Sequence, residues 1–146
     1  MGTGSSMGET ISGTIPENVD FTIKYTTGPN HATSLTKEAL AAGADTVVAV
    51  GGDGTVNEVG CGLINVDAAL GVVPIGSGNG FARHLKIPMG TKAALQRILA
   101  NESRTIDSAE INGTPFFVTA GLGFDAEVGW QFADFGKRGF ISYMQV

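Results

Sequence analysis

"VVAVGGDGTVNEV", residues 47–59, is the stretch on which the interpretation of the whole sequence depends. It begins with β-favouring residues, passes through "GGDGT" at residues 51–55 and continues as a helix-like pattern. A short apolar strand that leads through a glycine turn into a helix is typical of a parallel sheet covered on both faces. Asp53 is unexpected there, because glycine turns that receive phosphate mostly avoid negative charge. Its carboxylate could cap the following helix, or it could lie beside a transferring phosphoryl group.

The same strand–turn–helix pattern occurs on both sides of this stretch. Residues 21–25 alternate apolar and polar side chains, which predicts a strand, and a helix follows that ends before Gly43. A second buried strand over residues 70–75 runs into "GSGNG" at residues 76–80, and a further helix follows in which Thr91 can serve as the N-cap. This alternation predicts an α/β fold, a three-layer, doubly wound parallel sheet that is Rossmann-like.

The pattern changes after residue 104. Asn112 and Gly113 stand between two strand-like runs, which is a strong signal for a β-hairpin. Antiparallel strands that follow a parallel section indicate the start of a second, β-rich domain. We therefore expect an α/β domain over residues 1–104 and the beginning of a β-rich domain, incomplete, over residues 105–146.

The composition limits the classes of function. The 146 residues are 42% hydrophobic and 16% charged, which is typical of a globular domain. The net charge of −5 and the lack of a Lys/Arg-dense stretch argue against a nucleic-acid partner. The single cysteine, Cys61, cannot form an intramolecular disulfide and is expected to be a buried thiol. No signal-peptide pattern or run of about 18 apolar residues is present, so we expect a cytoplasmic protein.

The two glycine turns are expected to form one cleft, since each follows a strand of the same parallel sheet. Their glycines would let the backbone approach a phosphate and take positive φ, and the first N–H groups of the following helices would attract it. Neither turn is a Walker loop or a GxGxxG fingerprint, so a dinucleotide oxidoreductase is poorly supported. In a phosphoryl transfer, Asp53 could accept the proton of a substrate hydroxyl.

Four motifs, in this order, resemble the catalytic-domain family of diacylglycerol kinases and sphingosine kinases. They are "YTTGPNHATSL" at residues 25–35, the opening stretch, "PIGSGNGFARHL" at residues 74–85 and "AGLGFDAEV" at residues 120–128. The resemblance covers nearly the whole chain. More distantly, the sequence is similar to NAD kinases and phosphofructokinases. The resemblance implies a nucleotide-binding α/β domain followed by a β-rich, lipid-binding domain.

The resemblance also implies roles for individual residues. Asp53 would be the catalytic base, Asp107 would join a Mg²⁺–water network, and Glu127 would lie near the lipid head group. ATP binding is implied for Thr26, Gly51, Gly52, Gly54, Thr55, Glu58, Gly76, Ser77, Gly78 and Asn79. The family begins with a strand and an asparagine-containing loop, whereas this chain begins with "MGTGSS", which resembles only the tail of that loop. We therefore expect the first strand of the sheet to be missing, which favours self-association such as a homodimer.

These features lead to a principal hypothesis and two alternatives. The principal hypothesis is an ATP- and Mg²⁺-dependent lipid kinase that transfers the γ-phosphoryl group to the hydroxyl of a diacylglycerol or a sphingoid base. Such an enzyme would be cytoplasmic and would contact a membrane surface transiently during turnover. The alternatives are a kinase for a soluble acceptor, similar to NAD kinase, and a nucleotide-binding fragment without catalytic activity.

Overall fold

The computed structural model describes residues 3–117 and residue 120. The helices are α1 (Thr3–Ser12), α2 (His31–Ala41), α3 (Asp53–Leu63), α4 (Gly80–His84) and α5 (Thr91–Leu99). The strands are β1 (Thr46–Gly51), β2 (Ala69–Pro74), β3 (Ala109–Ile111) and β4 (Thr114–Phe116). The described part of the chain is therefore a mixed α/β structure, as the alternating sequence pattern predicts.

Strands β1 and β2 form a parallel pair, which confirms the predicted parallel sheet for these two strands. Thr46 lies opposite Ala69 at one end of the pair, and Gly51 lies opposite Pro74 at the other. Helix α3 connects the two strands, so that β1, α3 and β2 form one βαβ unit. Because the strands are parallel, the turns that follow them emerge at the same edge of the sheet.

Side chains on both faces of this strand pair are covered by helices. On one face, Ala49 and Val72 belong to a cluster with residues of α2, α3 and α4. On the other face, Val73 is fully buried in a cluster with residues of α1 and α5. The buried members of the two clusters are Ala32, Ala49, Val56, Val59, Val72, Phe81 and Ala82 on the first face, and Ile11, Val73, Ala94 and Leu95 on the second. Burial on both faces explains why the strands are continuously apolar.

Residues 21–27 form no strand, so the prediction of a strand over residues 21–25 is wrong. Neither described sheet includes this segment, and alternation alone cannot supply the backbone partners that a strand requires. The alternation also fails to place its three apolar side chains together. Ile23 packs against the cluster around Val73, whereas Phe21 is 40% exposed and Tyr25 is 61% exposed.

Several helix boundaries follow the sequence signals, and others do not. Helix α2 ends at Ala41, and Gly43 takes a φ of 92°, as expected for a glycine that stops a helix. Helix α5 begins at Thr91, but Gly90 occupies the N-cap position, so the prediction that Thr91 caps this helix is wrong. At the N-terminus, α1 is a ten-residue helix.

The predicted hairpin at Asn112 and Gly113 is confirmed. Strands β3 and β4 pair in antiparallel register, and both turn residues have positive φ, 51° and 78°, as a two-residue hairpin turn of the primed type requires. The hairpin packs against α3, where the thiol of Cys61 donates a hydrogen bond to the carbonyl oxygen of Pro115 at 3.6 Å. None of the helices in residues 3–117 combines the length and the apolar character needed to cross a membrane.

Candidate functional site

The two glycine turns begin at the same level of the sheet. Gly51 lies opposite Pro74, and the N–H of Ile75 donates a hydrogen bond to the carbonyl oxygen of Gly51 at 3.0 Å. This bond extends the ladder by one residue beyond β2 and ties the start of the second turn to the end of β1. The turns at residues 51–55 and 76–80 are therefore neighbours, as the parallel topology predicts.

The turns touch each other through glycine. A Cβ atom added to Gly76 would lie 2.5 Å from the Cα of Gly52, and one added to Gly52 would lie 3.2 Å from the Cα of Gly76. Neither position has room for a side chain as the turns stand. Among the described residues of both turns, Asn79 has a positive φ, 53°, and no glycine does. The prediction that these glycines take positive φ is therefore wrong, and close backbone approach is the reason for glycine at positions 52 and 76.

Asp53 links the first turn to the second. Its Oδ2 accepts a hydrogen bond from the N–H of Gly80 at 2.9 Å, and its Oδ1 accepts one from the N–H of Phe81 at 3.0 Å. Gly80 and Phe81 are the first two residues of α4, so Asp53 caps α4 although it is itself the first residue of α3. The prediction that the first N–H groups of both helices attract phosphate is thus wrong for these two groups, since a protein carboxylate already occupies them.

Asn79 and Arg83 hold the second turn in shape. The buried Asn79 accepts a hydrogen bond from the N–H of Gly76 at 2.9 Å and donates one to the carbonyl oxygen of Gly76 at 2.7 Å. It occupies the N-cap position of α4 but makes no side-chain capping bond. Arg83 Nε donates a hydrogen bond to the carbonyl oxygen of Gly78 at 2.9 Å. Side chains from the end of the turn and from the following helix therefore fix its backbone.

An open cleft of about 330 Å³ lies between the turns. It is lined by Gly52, Asp53, Gly54, Ile75, Gly76, Ser77 and Gly78. Six of these seven residues are sequence-predicted site residues, and Ile75 is the addition. In the part of the chain that the structure describes, no group accepts a hydrogen bond from the N–H of Asp53, Gly54 or Thr55 in the first turn of α3. The cleft therefore borders a helix N-terminus with free donors.

Gly51, Thr55 and Asn79 support the cleft without lining it. A Cβ on Gly51 would lie 2.5 Å from Thr55 Oγ1, so the threonine side chain occupies the space beside this glycine. Asn79 is 5% exposed and its side chain is used within the turn. These residues form the wall behind the cleft, and their contact with ATP stays a prediction.

Glu58 and Thr26 are not among the residues that line the cleft. Glu58 Oε2 accepts a hydrogen bond from the N–H of Ala32 at 3.0 Å, and its main-chain carbonyl accepts one from Thr33 Oγ1 at 2.8 Å. Glu58 thereby joins the start of α2 to α3. Thr26 is exposed in the irregular segment that precedes α2. Their predicted contacts with the nucleotide stay predictions.

The remaining predicted acids do not join the cleft within the described residues. Asp107 is exposed in a segment without regular secondary structure. In residues 3–117 and 120, no group of three or more His, Cys, Asp or Glu side chains comes together as a metal site would. Glu127, and nearly all of the motif at residues 120–128, lie outside the described residues. The metal and lipid roles of Asp107 and Glu127 therefore stay predictions.

Cys61 is half-buried in α3, which is less than the burial expected from its residue type. Burial raises the pKa of its thiol, and the nearby negative charge of Glu58 raises that pKa further. The neutral thiol is also the form that donates to Pro115. Cys61 is therefore a structural contact between α3 and the hairpin and not an activated nucleophile.

Three contacts of the site were not specified by the sequence reasoning. The capping of α4 by Asp53 joins residues 27 and 28 positions apart, and no local pattern signals it. For Arg83, the sequence indicates either a nucleotide contact or a solvent-facing residue, and the bond to Gly78 follows from the lean of helical side chains toward the helix N-terminus. For His31, the sequence indicates a structural residue at the start of a helix, and its Nδ1 lies 3.0 Å from the main-chain nitrogen of Thr27.

Comparison with known proteins now assigns the chain to a family. Residues 4–111 match the diacylglycerol kinase catalytic domain. The chain belongs to the diacylglycerol kinase catalytic domain family. Among curated members of this family, it is 36% identical over 111 residues to a protein named probable lipid kinase YegS from Escherichia fergusonii. It is 32% identical over 119 residues to a protein named probable lipid kinase YegS-like from Yersinia pestis.

These alignments cover 73% and 79% of this chain but only 37% and 40% of the relatives. The chain therefore spans about two fifths of the length of the family members that it matches. A crystal structure described as a diacylglycerol kinase from Bacillus anthracis is also similar, with a TM-score of 0.61 and 32% sequence identity. That similarity covers 66% of this chain and 34% of the other. The mixed α/β arrangement with its parallel strands is thus an arrangement found in this family.

Proposed function

We propose that this chain is the nucleotide-binding part of an ATP-dependent lipid kinase. The proposed reaction transfers the γ-phosphoryl group of ATP to the hydroxyl of a lipid, either a diacylglycerol or a sphingoid base. The observation that carries the proposal is the single cleft between the two glycine turns, with Asp53 in its wall. Membership of the diacylglycerol kinase catalytic domain family supports the reaction class.

Helix α3 is the element that we propose for binding the phosphate groups. Its first-turn N–H groups at Asp53, Gly54 and Thr55 have no acceptor among the described residues, and Asp53 and Gly54 line the cleft. A helix N-terminus with free donors favours an anion. Gly54 also leaves open space, since a Cβ there would meet no atom within 4 Å. A phosphate can therefore approach the backbone at this point without displacing a side chain.

Other residues complete the proposed nucleotide site. Ser77 and Gly78 would form the adenine side of the cleft, with Gly51, Gly52, Gly76 and Asn79 shaping its wall. Glu58 uses Oε2 for Ala32, which leaves Oε1 free, within the described residues, to accept a ribose hydroxyl. Thr26 is exposed in the irregular segment that precedes α2 and would approach the adenosine.

Asp53 is the residue that we propose to act on the acceptor hydroxyl. A carboxylate offers about four lone-pair sites, and the N–H groups of Gly80 and Phe81 use two of them. These two bonds fix the orientation of the carboxylate, so a remaining lone pair can accept the hydroxyl proton without a search through rotamers. Fixed positioning of this kind is the main contribution a protein makes to phosphoryl transfer.

The acids present are compatible with Mg²⁺. Mg²⁺ is usually held by one or two carboxylates together with substrate phosphates and water, so a single acid in the cleft wall is sufficient from the protein side. Asp53 would hold the ion and Asp107 would contribute through water. When bound, Mg²⁺ would neutralise charge on the triphosphate.

The finer description of the architecture belongs to the same proposal. We place a doubly wound, Rossmann-like domain over residues 1–104 and the start of a β-rich, lipid-binding domain over residues 105–146, with Glu127 near the lipid head group. Catalysis on a lipid would bring the cytoplasmic protein to a membrane surface transiently. We also propose that the chain forms a homodimer, which sedimentation analysis would detect.

The test is an assay of phosphoryl transfer. The full chain is incubated with radiolabelled ATP, Mg²⁺ and a total lipid extract, with NAD as a soluble acceptor in a parallel reaction. We expect labelled lipid from the wild type, and we expect Asp53→Asn to lose this product while it still binds ATP. Asp67→Asn, an exposed acid at the opposite end of the sheet, serves as the matched control and should be unchanged.

Three outcomes would contradict the proposal in whole or in part. Labelled NAD without labelled lipid would indicate a kinase for a soluble acceptor. Binding of ATP without transfer to either acceptor would indicate a nucleotide-binding fragment that is not catalytic. Undiminished transfer by Asp53→Asn would reject the role of that carboxylate.

A further inference from the structure

The residues that line the cleft supply no positive charge to balance a triphosphate. Asp53 is negative, and none of the other residues that line the cleft carries a charge. The sequence as a whole has a net charge of −5. Apart from the Mg²⁺ that accompanies it, a nucleotide with several negative charges would therefore meet only neutral N–H groups and a carboxylate among the lining residues.

Arg83 is placed to supply a positive charge. It lies in α4, and helical side chains lean toward the N-terminus of their own helix, which here means toward the second glycine turn. The observed bond from its Nε to the carbonyl oxygen of Gly78 confirms this direction. Gly78 lines the cleft, and one of the five N–H donors of the guanidinium holds Arg83 beside Gly78, so that four donors remain.

The positive charge of Arg83 is also not used in an ion pair within the part of the chain that the structure describes. No carboxylate there forms an ion pair with it, whereas Arg97 pairs with Glu102 at 3.2 Å on the surface. Among the described lysine and arginine side chains, Arg83 alone is hydrogen-bonded to a residue of the cleft. A fixed and unpaired guanidinium is well suited to phosphate, which it can bind through two parallel N–H bonds.

We propose that Arg83 binds the terminal phosphoryl groups of the nucleotide, an inference that rests on the proposed kinase function. Asp53 also lies close to Gly78, since its Oδ2 would be 3.4 Å from a Cβ on that residue. Gly78 is thus a residue that both charged side chains approach. In this arrangement Arg83 offsets charge on the phosphate while Asp53 remains available to the acceptor hydroxyl.

A purely structural role for Arg83 makes a different prediction. If the side chain only holds Gly78 in place, its loss would loosen the turn and weaken the binding of every ligand of the cleft alike. If it binds the terminal phosphates, its loss would weaken the binding of ATP much more than the binding of AMP or adenosine. The ratio of affinities across these three ligands separates the two roles.

The experiment measures the dissociation constants of ATP, AMP and adenosine by calorimetry for the full chain and three variants. Arg83→Gln keeps an N–H donor for Gly78 and removes the charge. Arg83→Lys keeps the positive charge but removes the planar guanidinium, which can donate two parallel hydrogen bonds. Arg97→Gln is the matched control, an arginine whose ion pair is exposed. We expect Arg83→Gln to raise the dissociation constant of ATP about tenfold or more, as the loss of a charged hydrogen bond implies. The dissociation constants of AMP and adenosine should change by less than about twofold.

Arg83→Lys should bind ATP with intermediate affinity, and Arg97→Gln should match the wild type. Equal weakening of all three ligands by Arg83→Gln, or no weakening at all, overturns the proposal for Arg83 and leaves the kinase proposal intact. A wild-type chain that binds none of the three ligands is the separate result that rejects the kinase proposal and this inference with it.

Discussion

The contact between the two glycine turns predicts opposite effects for the same substitution at two glycines. Gly76→Ala would place a Cβ 2.5 Å from Gly52 Cα and 2.8 Å from Asn79 Oδ1. Neither neighbour can move freely, because one is main chain and the other is a side chain hydrogen-bonded to Gly76 itself. Overpacking of this kind typically costs about 1–3 kcal/mol of folding free energy. We expect Gly76→Ala to be destabilised by that amount.

Gly54→Ala is the matched control in the first turn of α3. A Cβ there meets no atom within 4 Å, and the φ of Gly54 is not in the positive range. Replacing a glycine by alanine at such a position typically stabilises a protein by about 0.4–1 kcal/mol. Chemical denaturation followed by circular dichroism would measure both free energies of unfolding. A Gly76→Ala protein as stable as the wild type, or a Gly54→Ala protein destabilised to the same extent as Gly76→Ala, would refute the proposed turn-on-turn contact.

Three further predictions follow from single contacts. Asp53→Ala leaves two N–H groups of α4 without an acceptor, so the free energy of unfolding should fall by about 0.5–2 kcal/mol in denaturation experiments, and an unchanged value would contradict the capping. The N–H of Thr27 donates a hydrogen bond to Nδ1 of His31, so the neutral imidazole should carry its proton on Nε2. Nitrogen NMR that shows a proton on Nδ1 would exclude this bond. The raised pKa of the Cys61 thiol favours its neutral form, so alkylation by iodoacetamide at mildly alkaline pH should be slower than for a free cysteine and should reach the free rate after denaturation. Any stability due to this shift is complete below the ordinary thiol pKa and is lost as the pH rises through the raised pKa.

Local sequence patterns were sufficient for the elements that bear the site. The apolar runs of β1 and β2, each followed by a glycine turn, predict the parallel pair and the position of the cleft. The Asn112-Gly113 pair predicts the hairpin because few residues other than asparagine and glycine tolerate two consecutive positive φ values. In each case the signal depends on residues close together in the chain, which is why it can be read without the tertiary structure.

The features that sequence reasoning missed depend on contacts between distant segments. Residues 21–25 alternate like a strand, but a strand also needs a partner, and none of the described strands pairs with them. Glycine at Gly52 and Gly76 signals a turn, whereas the contact between the two turns appears only when β1 and β2 are aligned. Asp53 could be assigned from sequence only to its own helix or to a ligand, because its partners in α4 are brought near by the fold.

The central claim is that the free N–H groups at the start of α3 receive the phosphates of a nucleotide. The most direct measurement is a titration of the isotopically labelled full chain with Mg²⁺ and a non-hydrolysable ATP analogue, followed by amide NMR, with adenosine as the phosphate-free control. We expect the largest shifts at the amides of Asp53, Gly54 and Thr55, with smaller shifts at these amides when adenosine is added. An analogue that binds without moving these three amides, or that moves them no more than adenosine does, would contradict the claim.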